Sequence, residues 1–116
     1  MNSESRPPKP SQVLVYRHPN LDIRSFLTSK EISSYRVEYF KRASFEQAAD
    51  SLKALGAIGK QAIREIMALP GVEEVHIKPR ELRIKKRTSI SWNDIEPKII
   101  KILQRAVRKK QIVRIK

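Results

Sequence analysis

The first third of the chain alternates apolar and polar residues with a period of two, which is typical of β-strands. Residues 11–17, SQVLVYR, are followed by the turn sequence HPN, and the segment after this turn carries Leu21, Ile23 and Phe26. Residues 35–41, YRVEYFK, repeat the alternation. We therefore predict three strands in this part of the chain, with Leu21 and Ile23 on one face of the second.

The middle of the chain changes to the helical period of 3.6 residues. Ser44 and Gln47 have the spacing of a capping box, in which each side chain bonds to a backbone N–H at a helix start. A helix is therefore predicted over residues 44–55. A second predicted helix follows Gly56 and Gly59 and ends before Pro70, because proline and the glycine after it stop a helical run.

The last third predicts a hairpin and a long helix. Residues 72–78 and 81–87 both alternate, and the Pro-Arg dipeptide between them provides a tight connection. Residues 95–108 carry an apolar stripe at helical spacing, with Pro97 in the first turn, where proline is tolerated. The segment QIVRIK, residues 111–116, is predicted to add a closing strand.

These elements predict one α+β domain over residues 11–116, a mostly antiparallel sheet with helices packed on one face. A chain of 116 residues suits a single core. Residues 1–10, MNSESRPPKP, are polar and contain three prolines, so we expect a disordered N-terminal tail that is neither a signal peptide nor a membrane anchor. The expected location is the cytoplasm.

The composition narrows the available chemistry. The chain contains no cysteine, which excludes disulfides, thiolate metal sites and cysteine nucleophiles. His18 and His76 lie far apart in the sequence, and neither has a repeated acidic motif beside it. Since a general base or a metal site needs convergent partners, we expect no catalytic site, no metal site, no cofactor and no enzymatic activity.

Positive charge is concentrated in the last third of the chain. The net charge is +13, and residues 77–116 contain fourteen Lys and Arg against three acidic residues. Clustered cations attract nucleic acid or an acidic protein. The candidate surface for such a partner consists of Arg83, Lys85, Arg87, Lys98, Lys101, Arg105, Arg108, Lys109 and Lys110. Packing decides whether these cations share one surface, and Trp92, beside the apolar stripe, is predicted to be a core lid rather than a base-stacking platform.

The segment from Leu69 to Leu103 follows a recognisable order: a Gly-Val step, two strands, and a tryptophan that opens a helix containing a proline. The residues in this order are Gly71, Val72, Val75, Leu82, Ile84, Lys86, Trp92, Pro97 and Ile99. The segment resembles the second half of the amino-terminal domain of Nfu-type (NifU-like) iron–sulfur scaffold proteins. In the first half, HPNLDIRSFL is similar to the family's Pro-Asn segment and strand through Pro19, Asn20 and Phe26.

The resemblance implies an α+β fold and a non-enzymatic protein-interaction role linked to iron–sulfur cluster assembly, with another protein as partner. Residues 43–63 are longer than the family's usual connection, and the sequence lacks the cysteine-bearing domain that holds the cluster. The order of elements in this sequence is also similar to that of heavy-metal-associated ferredoxin-like domains, but the sequence lacks their Cys-x-x-Cys pair. Nucleic-acid binding through the basic C-terminal surface is the alternative function. Membrane binding is not expected, because the core needs the apolar stripe, and the oligomeric state stays open.

Overall fold

A computed structural model describes residues 13–34 and 36–115, with side chains through Lys110. Its five strands form one sheet in the order β1-β2-β5-β4-β3, and every neighbouring pair is antiparallel. The strands are β1 (Val13–Arg17), β2 (Ile23–Thr28), β3 (Glu38–Lys41), β4 (Val72–Lys78) and β5 (Glu81–Lys86). The α+β fold is confirmed, and the predicted tail over residues 1–10 lies outside the described residues.

The helices are α1 (Ala49–Ala54), α2 (Ala57–Met67) and α3 (Trp92–Ile115), and a short 3-10 helix (Arg42–Gln47) precedes α1. The predicted capping box is wrong, because Ser44 lies inside the 3-10 segment with φ −122° and no side chain caps either helix start. The Arg42 guanidinium determines the local path instead. It donates hydrogen bonds to the carbonyls of Met67, Leu69 and Val72 at 2.7–2.9 Å.

α3 is longer than predicted at both ends. Its backbone N–H at Asn93 donates to the Ser91 hydroxyl at 3.1 Å, which satisfies one of the free donors of the first turn. The closing strand predicted over residues 111–116 is wrong, because α3 continues to Ile115. No proline or glycine follows Lys110, and each residue added to an existing helix gains a backbone hydrogen bond.

The core lies between one face of the sheet and the layer formed by α2 and α3. Phe26 of β2 and Leu82 of β5 are cross-strand neighbours on this face and are fully buried. From the helices, Ile63 of α2 and Ile99 of α3 are also fully buried, which confirms the predicted apolar stripe of α3. The opposite face of the sheet has no helix over it in the described part of the chain.

The prediction that Leu21 shares a strand face with Ile23 is wrong. Leu21 lies in the turn before β2 and is 83% exposed. The side-chain oxygen of Asn20 accepts the backbone N–H of Asp22 at 2.9 Å, which forms an Asx turn at this point. The strand therefore begins only at Ile23, two residues after the apolar alternation starts.

Trp92 closes one end of the core, as predicted. Its side chain is 6% exposed, and its ring lies 6.1 Å from that of Phe26 between centroids. The Arg24 guanidinium lies 5.0 Å from the centre of the indole ring, and Lys86 lies 5.9 Å from it. This lid is thus held by apolar packing on one side and by cations on the other.

No helix in the part of the chain that the structure describes is both long and apolar enough to cross a membrane. α3 has 24 residues, but charged residues occupy many of the positions between those of its apolar stripe. Its apolar residues are used in the core, as Ile99 and Leu103 show by their complete burial.

Candidate functional site

The nine predicted cations lie on opposite sides of the molecule. Arg83 and Lys85 alternate along β5 with the buried Leu82 and Ile84, so they project from the face of the sheet that the helices leave uncovered. The cations of α3 project instead from the exposed side of a helix that packs on the other face. The sheet and the helix layer therefore separate the predicted cations into two groups.

The four cations that line the exposed side of α3 are called the α3 stripe: Lys98, Lys101, Arg105 and Arg108. Arg105 is paired with Glu65 of α2 at 2.7 Å. Glu65 also accepts a hydrogen bond from Gln61, and this bond followed by that from Arg105 lowers the pKa of Glu65. Within residues 13–34 and 36–110, no carboxylate lies within ion-pair distance of the other three cations.

The remaining predicted cations occupy separate positions. Arg87 follows β5 and pairs with Glu73 at 3.2 Å. Lys109 is exposed beside the groove between α2 and α3, and it contributes to the lowered pKa of Glu65. Lys110 is half-buried and lines a different groove, at the start of α2. Arg87 and Lys110 therefore extend neither the α3 stripe nor the group on β5, whereas Lys109 lies one helical turn after Arg105 and continues the exposed side of α3.

The uncovered side of the sheet, called the open face, carries a row of polar and aromatic side chains that crosses all five strands. The cross-strand register places Tyr16, Ser25, Arg83, His76 and Tyr39 next to one another in this order. Only Ser25 is buried, and its hydroxyl contacts His18 Nε2 at 2.8 Å. The other members of the row lie at a surface that a partner can reach.

A depression of about 360 Å³ lies in the open face. It is lined by Ile23, Tyr39, Glu74, His76, Arg83 and Lys85. The predicted cations Arg83 and Lys85 thus meet an aromatic, an imidazole, a carboxylate and an aliphatic side chain from three other strands. We call this group of side chains the open-face depression.

Hydrogen bonds order the floor of the open-face depression. Arg83 Nη2 donates to His76 Nδ1 at 3.0 Å, and the Tyr39 ring meets the His76 ring edge-on with 5.7 Å between centroids. The Tyr39 hydroxyl donates to the Glu74 carboxylate. Four side chains from three strands therefore hold one another in place.

The charges around His76 determine its protonation. Burial lowers the pKa of His76, and the positive charges of Arg83 and Lys78 lower it further. The imidazole is therefore neutral at neutral pH and able to accept the Arg83 hydrogen bond. The hydrogen bond to Glu74 raises the pKa of Tyr39, which keeps its phenol protonated.

Exposed apolar residues flank the open-face depression. On β1, Leu14 is 57% exposed and Tyr16 is 66% exposed; near and on β3, Val37 is 59% exposed and Tyr39 is 53% exposed. Large apolar side chains at such exposure are unusual on the solvated face of an antiparallel sheet, which normally carries polar residues. Their grouping on one face makes this face the candidate interaction surface.

Sequence periodicity predicts the cations of the open face and misses its aromatic part, because it identifies Tyr16 and Tyr39 only as members of strands. The available signal was that VLVYR and VEYFK carry apolar residues on both phases of the alternation. Such strands either lie between two covered faces or expose apolar residues on one, and only the placement of the helices distinguishes these cases.

In the part of the chain that the structure describes, no three His, Asp or Glu side chains come together in a group that could hold a metal ion. The full sequence contains no cysteine. The open-face depression contributes one imidazole and one carboxylate, and the carboxylate is already engaged by Tyr39. The side chains of this face offer charge, hydrogen bonding and apolar contact to a partner.

Comparison with known proteins gives one family match and several structural likenesses. Residues 13–110 match the family described as scaffold protein Nfu/NifU N terminal. The solution structure of a NifU-like protein from Saccharomyces cerevisiae is 22% identical, with a TM-score of 0.59 and coverage of 90% of this chain and 87% of that one. No curated protein matches the chain.

Two bacterial structures have a similar fold. The crystal structure of protein SAV1430 from Staphylococcus aureus is 14% identical, with a TM-score of 0.56 and coverage of 78% of this chain and 96% of that one. The solution structure of SeR13 from Staphylococcus epidermidis is 16% identical, with a TM-score of 0.50 and coverage of 76% of this chain and 88% of that one. At these identities the likeness concerns the fold.

Proposed function

Because the chain belongs to the Nfu/NifU N-terminal scaffold family, we propose that it is a non-enzymatic protein-interaction domain that serves iron–sulfur cluster assembly in the cytoplasm. Proteins hold such clusters chiefly through cysteine thiolates. This chain contains none. Its contribution is therefore to bind a protein that carries or receives the cluster, with the cluster as that partner's cargo.

The observation that carries this proposal is the composition of the open face. Tyr16 and Tyr39 are more than half exposed at its two sides, and Arg83 lies between them. Aromatic residues and arginine are enriched at protein interfaces: aromatic rings bury a large area at a low cost in side-chain freedom, and the arginine guanidinium provides several hydrogen-bond donors in a planar group. The interaction is assigned to this face.

Nucleic-acid binding through the α3 stripe is the weaker candidate. One of its four cations, Arg105, is already paired with Glu65. The only aromatic residue of α3, Trp92, is buried in the core lid and cannot stack on bases. The likenesses to known proteins add no support for this alternative.

The test is capture of partners from an extract of the source organism, with and without nuclease, followed by identification by mass spectrometry. We expect nuclease-resistant capture of proteins that assemble or receive iron–sulfur clusters. The double variant Tyr16→Ser/Tyr39→Ser should lose this capture, whereas Lys98→Ser/Lys101→Ser, on the opposite side of the molecule, should retain it. Capture that disappears with nuclease, or that is the same for both variants, would overturn the proposal.

A further inference from the structure

The cations of the open face form no close ion pairs, although Glu74 faces Lys85 and Glu81 faces Lys78 across neighbouring strands. In the described residues, no carboxylate lies within ion-pair distance of Lys78, Arg83 or Lys85. Arg83 instead donates to the neutral His76 ring, although Glu74 lies in the same depression. The Glu74 carboxylate is engaged by the Tyr39 hydroxyl. Positive charge is thus held at the centre of the face and left available for a partner's carboxylates.

The backbone of the open face restricts the shape of the partner. The three inner strands use their main-chain groups within the sheet, so a ligand lying on this face cannot pair with them as an added strand. It must pack through side chains, as α2 and α3 do on the other face. Four strand intervals separate β1 from β3, which gives about 19 Å between the two apolar sides. A helix laid across the strands covers this distance with about 13 residues, at about 1.5 Å per residue.

We propose that the open face binds an acidic amphipathic helix of a partner protein, whose carboxylates meet Arg83 and Lys85 while its apolar residues contact Tyr16 and Tyr39. This inference rests on the proposed interaction function and specifies its partner. The apolar positions of an amphipathic helix recur every three or four residues and leave acidic positions between them. An apolar stripe laid along the row from Tyr16 to Tyr39 carries acidic positions at its borders, within reach of the long side chains of Arg83 and Lys85.

A single-stranded nucleic acid matches the open face less well. Lys41 Nζ lies 5.4 Å from the centre of the Tyr39 ring, and His76 meets that ring edge-on, so its faces are not free for base stacking. Glu74 and Glu81 lie on the same side of the sheet as Arg83. A continuous row of phosphates would approach these carboxylates, whereas a helix places its acidic side chains at discrete positions.

His76 provides a local reporter of the proposed contact. Its pKa is lowered by burial and by two neighbouring cations, so an approaching carboxylate must raise it. The ring also faces Tyr39 and Glu81, whose charge raises the pKa of His76, and Glu74 lines the same depression. A rise in the pKa of His76 on binding therefore separates a contact at the open face from one at the α3 stripe.

The experiment uses a synthetic peptide of Leu and Glu in an amphipathic helical pattern and the same peptide with every Glu replaced by Gln. Glu and Gln have similar helix propensities, so the pair differs in charge alone. Amide NMR spectra of the full chain would be followed during titration with each peptide. We expect the acidic peptide to bind, to shift amides of β4 and β5, and to raise the pKa of His76.

The variant Arg83→Glu/Lys85→Glu should bind the acidic peptide at least about tenfold more weakly, because two attractions become two repulsions. The matched variant Lys98→Glu/Lys101→Glu should bind it as the wild type does. Absence of binding, equal binding of the Gln peptide, or shifts confined to α3 would overturn the proposal. So would a mixed-sequence single-stranded oligonucleotide that shifts the same β4 and β5 amides while the peptide does not.

The two proposals fail separately. If extract proteins of the iron–sulfur pathway are captured through Tyr16 and Tyr39 but the acidic peptide does not bind, the interaction function stands and the acidic helix is refuted. If the peptide binds at the open face but no such protein is captured, the surface is correct and its assignment to cluster assembly is refuted.

Discussion

The indole nitrogen of Trp92 donates a hydrogen bond to the carbonyl oxygen of Leu21 at 2.8 Å, across 71 positions of sequence. This bond joins the first residue of α3 to the turn between β1 and β2. The turn is otherwise exposed, as the 83% exposure of the Leu21 residue shows. The start of the last helix therefore fixes the entry to the second strand.

We expect Trp92→Phe to lower the free energy of unfolding by about 1–3 kcal/mol, because it removes the donor to the Leu21 carbonyl and leaves space in the core lid. Urea denaturation would measure the loss. Tyr16→Phe, at an exposed position, is the control and should change stability by no more than about 0.5 kcal/mol. Equal stability of Trp92→Phe and wild type would contradict the assigned role.

Asp22 forms an ion pair with the buried Lys86, whose Nζ lies 2.9 Å from Asp22 Oδ1. This pair should make the stability of the fold depend on pH. Hydrogen bonds from Thr88 and then Lys86 lower the pKa of Asp22 below 3.8. A carboxyl with a depressed folded pKa stabilises the fold above its unfolded pKa, and this contribution is lost as the pH falls through the folded value. The stability difference between wild type and Asp22→Asn should therefore be largest near neutral pH and shrink below pH 3.8.

Denaturation of both proteins at a series of pH values would check this expectation. Thr88→Val is a useful third protein, because it removes the hydrogen bond that lowers the pKa of Asp22 most. Its acid loss of stability should begin at a higher pH than that of wild type. A difference between wild type and Asp22→Asn that does not change with pH would contradict the prediction.

Two glycines with positive φ form a matched pair. Gly71 has φ +94°, and a Cβ placed there would lie 2.5 Å from Ile90 Cγ1; Gly56 has φ +86° and open space around that position. Gly56→Ala should cost about 1–2 kcal/mol through backbone conformation alone. Gly71→Ala should cost at least about 1 kcal/mol more, because the methyl group also collides with a branched side chain.

Urea denaturation of both glycine variants tests this ranking. The double variant Gly71→Ala/Ile90→Ala provides the control, since it removes the collision and keeps the strained backbone. The loss of stability caused by Gly71→Ala should be smaller when it is measured against Ile90→Ala than when it is measured against wild type. Equal costs at Gly71 and Gly56 would show that the contact with Ile90 relaxes freely.

The salt dependence of binding tests the nucleic-acid alternative for the α3 stripe. Because Arg105 is paired with Glu65, three cations remain for phosphate contacts. Any affinity for a mixed-sequence oligonucleotide should then fall with a slope of about −2 to −3 in log K against log salt. Lys98→Glu/Lys101→Glu/Arg108→Glu should abolish it without unfolding, because these side chains are exposed. No measurable binding at low salt would eliminate the alternative.

Reconstitution tests whether the isolated chain holds a cluster. We expect no visible-region absorbance after anaerobic incubation with iron and sulfide, since the chain has no thiolate to bind iron. The control is a cysteine-bearing scaffold domain treated in the same way. A stable absorbance band at stoichiometric iron would show that the chain carries a cluster itself and would contradict the proposed role.

The elements that the sequence predicts best are those that short-range periodicity determines. The apolar spacing of Ile95, Ile99 and Ile102 predicts α3, and the hairpin of β4 and β5 follows from two alternating segments around a turn. The prediction at Ser44 is wrong because the backbone path there depends on Arg42, whose hydrogen-bond partners lie 25 to 30 positions away. A local capping pattern contains no information about such a contact.

The candidate site was predictable in its cations and not in its geometry. Arg83 and Lys101 are exposed because each alternates with buried neighbours, which the sequence pattern already indicates. Their separation to opposite sides depends on which face of the sheet the helices cover. The exposure of Tyr16 and Tyr39 depends on the same choice. The alternation along a strand defines two faces but does not show which of them the helices cover.

The strand order has a consequence for folding during synthesis. β5 lies at the centre of the sheet, between β2 and β4, yet it is the last strand to be made. Until residues 81–86 have left the ribosome, the β1–β2 hairpin has an unpaired edge, and Phe26 lacks its neighbour Leu82. An unpaired edge beside an apolar side chain is a template for aggregation. The β1–β2 hairpin of a nascent chain therefore keeps this edge unpaired until β5 has been made, and the sheet can close only after that step.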